Sequence, residues 1–359
     1  TPTHRSSSAA SDVYKRQVRN QLISDIEDFA AFGDRSTGTP GCQAAAALIK
    51  KSFKQLGIDN VGSQLFSLPV LKHGGSRLHV PKINLSVPID PLILNAITPQ
   101  TMPSQGYEGP LVYVGPGELQ HFNGKEIKDA IVLMDIDSGK NWIHAVSLGA
   151  RALIYIDHPS TPKMVYEDKI ELSPVHFPRF RIERSRARKL FGDFEMAPAG
   201  LVFEKIRLNS DVEWREVPAE NIYGLIPGAD PELSEELVIA EAFYDISAFV
   251  PGHSPGADEA VSIASLLNLA RVLKRQPPGR SVLLVASAGH AQTLVGMREM
   301  IWSISSRSKD LRKIEKELKG TIRHAKKTLA LLEDARKQGV ASIREATELE
   351  TAGGESLLK

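Results

Sequence analysis

The sequence has a single cysteine, almost no net charge and no long hydrophobic run, and each absence excludes a class of protein. Cys42 stands alone among 359 residues, so an internal disulfide and a cysteine-rich zinc site are both excluded. The formal net charge of +1 gives no general attraction to nucleic acid or to an anionic membrane. No run approaches the roughly 18 apolar residues of a membrane span. The remaining composition, 42% hydrophobic and 24% charged, is typical of a globular chain of about two domains.

Two common catalytic motifs are also absent. No G-x-S-x-G sequence provides a serine nucleophile. The glycine-rich turn GPGELQHFNG lacks the lysine and serine of a phosphate-binding loop. The basic stretch LKGTIRHAKKTL has acidic residues nearby, which favours a solvated helix face over a nucleic-acid patch. The sequence therefore predicts no nucleic-acid partner and no transmembrane segment.

The first residues carry a foreign signature. SSAASDVYKRQ, at Ser7 to Gln17, reads as an in-frame translation of a sequencing adaptor, with a genuine disordered tail as the alternative. Under either reading residues 1–17 are expected to be disordered and to lie outside the fold. The missing targeting signal then says nothing about the compartment.

The rest of the chain divides into four segments whose sequence patterns predict different structures. Residues 18–70 predict two amphipathic helices and a strand, and 75–210 predict a small β-rich module with one or two helices. The alternative for 75–210 is the continuation of one large α/β domain. Residues 219–303 predict an incomplete α/β core with a helix from Glu259 to Arg275 that is apolar on nearly every side, which is typical of a buried helix.

Residues 304–359 predict a helical arm. Apolar residues there recur at steps of three and four, and Lys, Arg and Glu fill the other faces. They are Leu311, Ile314, Leu318, Ile322, Ala325, Leu329 and Leu332. Two interpretations are open: a helix packed on its own domain, or a helical hairpin or coiled-coil arm.

Several segments together resemble a known family. RSTGTPG, AENIYGLIPGADPELSEELVIAEAFYD and PGADEAVSIASLLNLARVL are similar, in order and spacing, to zinc aminopeptidases of metallopeptidase family M28, in the glutamate carboxypeptidase and transferrin receptor superfamily. GPLVYVGPGE, KDAIVLMD and AVSLGARALIYI resemble the protease-associated (PA) domain that some members carry as an insertion. The resemblance implies a doubly wound mixed sheet with helices on both faces, interrupted by the PA domain, and location in the periplasm or outside the cell.

The resemblance also implies a two-zinc site, in which carboxylates and histidines hold the metals and a further glutamate takes a proton from the bound water. In this sequence Phe243 stands at the first histidine ligand and Ala291 at a glutamate ligand. His290 stands at the general base, and Asp258 keeps the bridging aspartate. Asp245, which would orient the first histidine, has lost that role.

The site could be rebuilt around other residues. His253, Asp258, Glu259 and His290 offer imidazole and carboxylate groups that suit a single zinc ion. The alternative makes His253 a loop histidine and His290 a strand-end histidine, with Asp258 capping the helix that begins at Glu259. No cofactor is expected unless this rebuilding holds.

Two functions follow. The first is a degenerate aminopeptidase-like protein with a non-catalytic binding or scaffold role toward a peptide or protein partner. The second is a zinc-dependent aminopeptidase that hydrolyses peptides, so enzymatic activity is an open question at this stage.

The sheet would need further strands to be complete, and an open edge predicts aggregation.

Overall fold

The computed structural model describes residues 5–95, 101–253, 256–306 and 308–338, and it divides the chain into two compact units, residues 1–299 and 300–359. The helices are α1 (Arg5–Ala30), α2 (Pro40–Gln55), α3 (Trp142–Ser147), α4 (Lys163–Glu167), α5 (Arg184–Phe191), α6 (Ala260–Arg275), α7 (Val295–Ser305) and α8 (Ser308–Gln338). The strands are β1 (Asp59–Val80), β2 (Leu85–Pro88), β3 (Asp90–Pro91), β4 (Tyr107–Tyr113), β5 (Ile131–Asp135), β6 (Ala152–Asp157), β7 (Arg179–Glu183), β8 (Leu201–Ile226), β9 (Leu237–Phe243) and β10 (Ser281–Ser287).

A single mixed sheet runs through the first unit. Its order is β2-β1-β8-β4-β5-β6-β7-β3, and β10 pairs with β8 on one side and with β9 on the other. The long strands β1 and β8 pair antiparallel from Asp59↔Leu225 to His79↔Arg207 and join the two halves of the sheet. This confirms the predicted α/β class with a mixed sheet. β10 is antiparallel to β8 and parallel to β9.

The half of the sheet near β9 and β10 buries its apolar side chains under α1, α2 and α6. Phe29, Ile49, Phe53, Ile263 and Leu284 are all fully buried in this core. Thr39 accepts a hydrogen bond from the backbone amide of residue 42 at 3.3 Å and caps α2, whose first residue is a proline, as helix starts prefer. The predicted helices and strand of residues 18–70 therefore pack with α6, β9 and β10 around one core. This part of the first unit is called the peptidase-like half below.

Residues 75–210 build a separate core around the parallel strands β4 to β7. Ile131 and Leu133 enter one apolar cluster, while Val132 and Met134 enter another on the opposite face. Burial on both faces is what a continuous apolar run such as AIVLMD indicates. Helix α3 and strand β6 lie on either side of Gly149. The module is joined to the rest through β1 and β8, and its identity as a PA domain stays a prediction.

Two expectations fail in the first unit. Residues 5–17 are helical rather than disordered, because no glycine or proline interrupts the segment before it continues into the amphipathic part of α1. Residues 1–4 lie outside the described part. Helix α6 packs against α1, α2, β9 and β10, yet Val261 and Leu269 are 44% and 37% exposed, so it is not buried on every side.

In the second unit α8 confirms the long C-terminal helix over residues 308–338. The six Leu and Ile side chains of its predicted stripe are between 40% and 58% exposed. Ion pairs one helical turn apart, such as Lys319 to Glu315 at 2.6 Å, lie on its polar surface. The rest of the predicted arm, residues 339–359, lies outside the described residues.

We predict that the edge formed by β9 promotes aggregation. In the described part of the chain β9 pairs only with β10, and Leu237, Val238 and Ile239 are 50%, 45% and 43% exposed. A lysine on an edge strand disfavours strand addition by another chain. Val238→Lys should therefore lower light scattering and the aggregated fraction in size-exclusion chromatography. Val261→Lys, an equally exposed valine on α6, is the control, and an equal effect of both would refute an edge-specific cause.

The start of α7 generates a second prediction. The helix begins only at Val295, because Thr293 and Leu294 have φ angles of 58° and 59°, which a helix cannot include. A β-branched residue in this left-handed region is strained, so Thr293→Gly should raise the free energy of unfolding by about 1 kcal/mol. Thr293→Ala, which keeps a Cβ, should not. Urea unfolding of both variants would decide, and equal stability would exclude backbone strain.

Candidate functional site

The candidate site lies where the parallel neighbours β9 and β10 end. Phe243 and Ser287 are paired at the ends of these strands, and the chain continues to Asp245 on one side and to His290 on the other. Loops at the carboxyl ends of adjacent parallel strands are the usual position of binding sites in open α/β sheets. The sequence places its candidate residues at this edge, and the structure confirms the two loops as neighbours.

The side chains of Phe243 and His290 pack against each other at this edge. Their ring centroids are 3.8 Å apart, with an interplanar angle of 13°. Both side chains are half-buried, whereas Ala291 is exposed to solvent. An apolar ring therefore fills the position at which the family resemblance implies a histidine ligand. The imidazole of His290 beside it is in face-to-face contact with that ring.

Asp245 has a structural role in the same loop. Its buried carboxylate accepts hydrogen bonds from the hydroxyl of Thr37 at 2.6 Å, from the amide of Gly289 at 2.7 Å and from the amide of His290 at 3.2 Å. Burial raises the pKa of Asp245 to about 6, although these hydrogen bonds favour the charged form. Asp245 thus ties the turn before α2 to the two loops.

Sequence reasoning missed Arg35, which holds the other side of this loop. Its fully buried guanidinium donates to the carbonyl oxygens of Phe29 at 2.8 Å, of Tyr244 at 3.2 Å and of Gly256 at 2.9 Å. Burial lowers the pKa of Arg35, and the nearby charge of Glu259 opposes that effect. The only sequence signal was an arginine inside the turn RSTGTPG, and nothing local reveals its distant partners.

Asp258 is engaged with a lysine from the inserted module. Its carboxylate lies 2.8 Å from the ammonium of Lys163, and the carboxylate of Glu259 lies 3.4 Å from the same ammonium. The expectation that Asp258 caps α6 is wrong, because the helix begins at Ala260 with Glu259 at the N-cap position. Glu259 instead accepts from the amide of Ser247 at 3.1 Å.

The remaining candidate, His253, is exposed, and its Nδ1 lies 3.0 Å from the carbonyl oxygen of Pro251. Within residues 5–95, 101–253, 256–306 and 308–338, no group of three or more His, Cys, Asp or Glu side chains is arranged to hold a metal ion. His253, Asp258, Glu259 and His290 are thus not gathered into such a group in the described residues, and the rebuilt single-zinc site stays a prediction. The side chains present do not fit a two-zinc centre, because Phe243 and Ala291 offer no lone pair at two of its positions.

Comparison with known proteins gives a family for part of the chain. Residues 221–333 match Peptidase family M28. A search of curated protein sequences found no match. No helix in the described ranges is long and apolar enough to cross a membrane.

Two solved structures share the fold. A zinc aminopeptidase from Bacillus subtilis is 23% identical with a TM-score of 0.55, over 82% of this chain and 66% of that one. A peptidase M28 precursor from Shewanella amazonensis SB2B is 18% identical with a TM-score of 0.53, over 80% of this chain and 70% of that one. The chain therefore spans 66% of the length of the Bacillus enzyme. The resemblance to M28 aminopeptidases is confirmed at the level of fold.

The buried carboxylate predicts a pH dependence of stability. Because the pKa of Asp245 is higher in the folded protein than the ordinary 3.8, the folded state holds this proton more tightly than the unfolded chain. The resulting stabilisation is complete below about pH 4 and is lost as the pH rises through about 6, a change of about 2–3 kcal/mol.

Asp245→Asn should remove this part of the pH dependence, measured by urea unfolding at intervals between pH 4 and 7. Asp258→Asn is the matched control. Lys163 holds the pKa of Asp258 low despite partial burial, so that variant should keep the slope between pH 4 and 6. An unchanged slope in Asp245→Asn would show that another group titrates in this range.

Proposed function

We propose that this chain is a zinc-aminopeptidase-like protein whose peptidase site is degenerate and whose role is to bind or scaffold a peptide or protein partner. The single observation that carries this proposal is the stacking of Phe243 on His290. A metal ligand at either position would have to displace that contact. The chain keeps the strands, the loops and the buried Asp245 of the site, while the groups that would hold and use a metal are replaced.

The loss of metal affinity expected from these replacements supports a non-catalytic role. Changing a group that merely orients a metal ligand typically costs about 10–100-fold in metal affinity or activity. The replacements at Phe243 and Ala291 remove direct ligands, so their cost is expected to be larger. Asp258, the implied bridging ligand that remains, is paired with Lys163 instead of converging with histidines.

Two surfaces could serve a binding role. The first is the inserted module of residues 75–210, for which we retain the assignment as a PA domain. The second is the exposed stripe of α8, which includes Leu318 at 58% and Leu329 at 57% exposure. Leucine and isoleucine at steps of three and four are typical of a helix that packs against another helix. A peptide or protein partner is therefore favoured over a small molecule.

The alternative function is a zinc-dependent aminopeptidase. The match of residues 221–333 to Peptidase family M28 favours it, as does the retention of Asp245 and Asp258. Under either function we retain the periplasm or the outside of the cell as the expected location, which follows from the family resemblance alone.

Metal content separates the two functions. The purified protein, dialysed against trace zinc, should hold no more zinc per chain by inductively coupled plasma mass spectrometry than the Asp258→Ala variant. It should also release no amino acid from aminopeptidase substrates. The reason is that Phe243 and Ala291 cannot donate electrons to a metal.

The control is Glu232→Ala, which removes an exposed carboxylate from the turn between β8 and β9 and measures adventitious zinc. One or two equivalents of zinc in the unchanged protein and in Glu232→Ala, lost in Asp258→Ala, would overturn the degenerate-site proposal. That result would make the aminopeptidase function the better one.

A further inference from the structure

One lysine faces three carboxylates at the loop that precedes α6. The ammonium of Lys163 lies 2.8 Å from Asp258, 3.4 Å from Glu259 and 3.9 Å from Glu167. These three acidic residues are called the three-carboxylate cluster below. Lys163 and Glu167 belong to α4 of the inserted module, whereas Asp258 and Glu259 precede α6 in the peptidase-like half. The cluster is therefore assembled from both halves of the first unit around one cation.

The ammonium of Lys163 offsets the negative charges of this group. Three carboxylates around one point repel each other, and a positive charge placed between them weakens that repulsion. Burial opposes the charged form of Lys163, but its hydrogen bond to Asp258 and the charge of Glu259 outweigh it and raise the pKa of Lys163. The carboxylate of Glu259 is 13% exposed, so the pair it forms is less screened by water than an ordinary surface ion pair.

Helix α4 makes a second contact with the loop between β9 and α6. The ring of Tyr166 stacks on Phe249, with centroids 6.3 Å apart and an interplanar angle of 17°. The amide of Ile93 donates to the carbonyl oxygen of Phe249 at 2.8 Å, and Val250 is buried in the core of the module. Helix α4 thus holds the loop at two points, through an apolar contact at residues 249–250 and through an ion pair at 258–259.

We propose that Lys163 is an internal cation that neutralises Asp258, the position where the family resemblance implies a metal ligand, together with the neighbouring Glu259 and Glu167, and that it locks this loop to the inserted module. This inference rests on the proposed function, because it explains how a degenerate site keeps Asp258 without a metal. In this inference the module holds the loop in place. The ammonium of Lys163 takes the place of a metal ion that would otherwise bind from solution. Lys163 is a positioning residue and takes no part in a reaction.

Removal of the Lys163 ammonium should leave the three-carboxylate cluster open to a cation from solution. Lys163→Met keeps most of the aliphatic side chain but leaves the three carboxylates without their cation. Within the described residues the three carboxylates are not arranged to hold a metal ion while Lys163 lies between them. Glu167 and Asp258 are exposed, however, so they are free to turn toward an ion once the ammonium is gone, and carboxylate oxygens are ligands that Ca²⁺ accepts readily. In Lys163→Met, but not in the unchanged protein, added CaCl₂ should raise the thermal midpoint in a concentration-dependent manner. The double variant Lys163→Met with Asp258→Asn should lose that response.

Two variants serve as controls. Lys163→Arg keeps the charge and should show no calcium response. Lys205→Met removes the exposed partner of Glu108, another lysine–glutamate pair of the module, and should show none either. Hydrogen exchange should be faster for the amides of residues 247–253 in Lys163→Met than in the unchanged protein, and Lys163→Arg should restore protection.

The outcomes separate this inference from the proposed function. If Lys163→Met gains no calcium response and keeps its amide protection while the unchanged protein holds no zinc, Lys163 is an ordinary surface lysine and only this inference fails. If the unchanged protein holds zinc that depends on Asp258, the proposed function fails, and this inference fails with it. A calcium response in Lys163→Met that survives Asp258→Asn would also overturn the inference, because the ion would bind elsewhere.

Discussion

The antiparallel pairing of β1 with β8 is the constraint on which the rest of the structure depends. Backbone hydrogen bonds join these two strands from the core under α1, α2 and α6 to the separate core around β4 to β7. Because the side chains of a strand alternate between two faces, a slip of one residue would turn Phe66 and Leu68 away from their core. The pairing therefore fixes both cores and the relative placement of α4 and the loop before α6. Without that placement Lys163 could not reach Asp258.

Much of the fold could be predicted because its signals are local. Continuous apolar runs mark β5, β6 and β10, which are buried on both faces, and Thr39 with Pro40 marks the start of α2. The position of the candidate site came from the family resemblance, which pointed to Phe243, Asp258, His290 and Ala291. Errors arose where a local pattern permitted two structures, as at residues 5–17, or where one face of a helix lacks a partner, as at Val261 on α6.

The contacts that decide the character of the site could not be predicted from local patterns. Lys163 and Asp258 are 95 positions apart, and Arg35 binds carbonyl oxygens more than 200 positions away. A side chain that binds a backbone carbonyl places no demand on the type of residue it contacts, so it leaves no motif. The replacement of ligands at Phe243 and Ala291 was visible in the sequence, but the stacking of Phe243 on His290 depends on how two loops meet.

The ribbon formed by β1 and β8 also allows the module to be separated from the rest of the first unit. Leu71 and Trp214 face each other at a point where, in the described part of the chain, no other strand pairs with the ribbon. A tight turn joining these two positions would close a hairpin and delete the 142 residues between them. Both strands would keep their register on the side of α1, α2 and α6. The module could thus have entered an ancestral hairpin by a single insertion, and it could be grafted onto another hairpin through the same two strands.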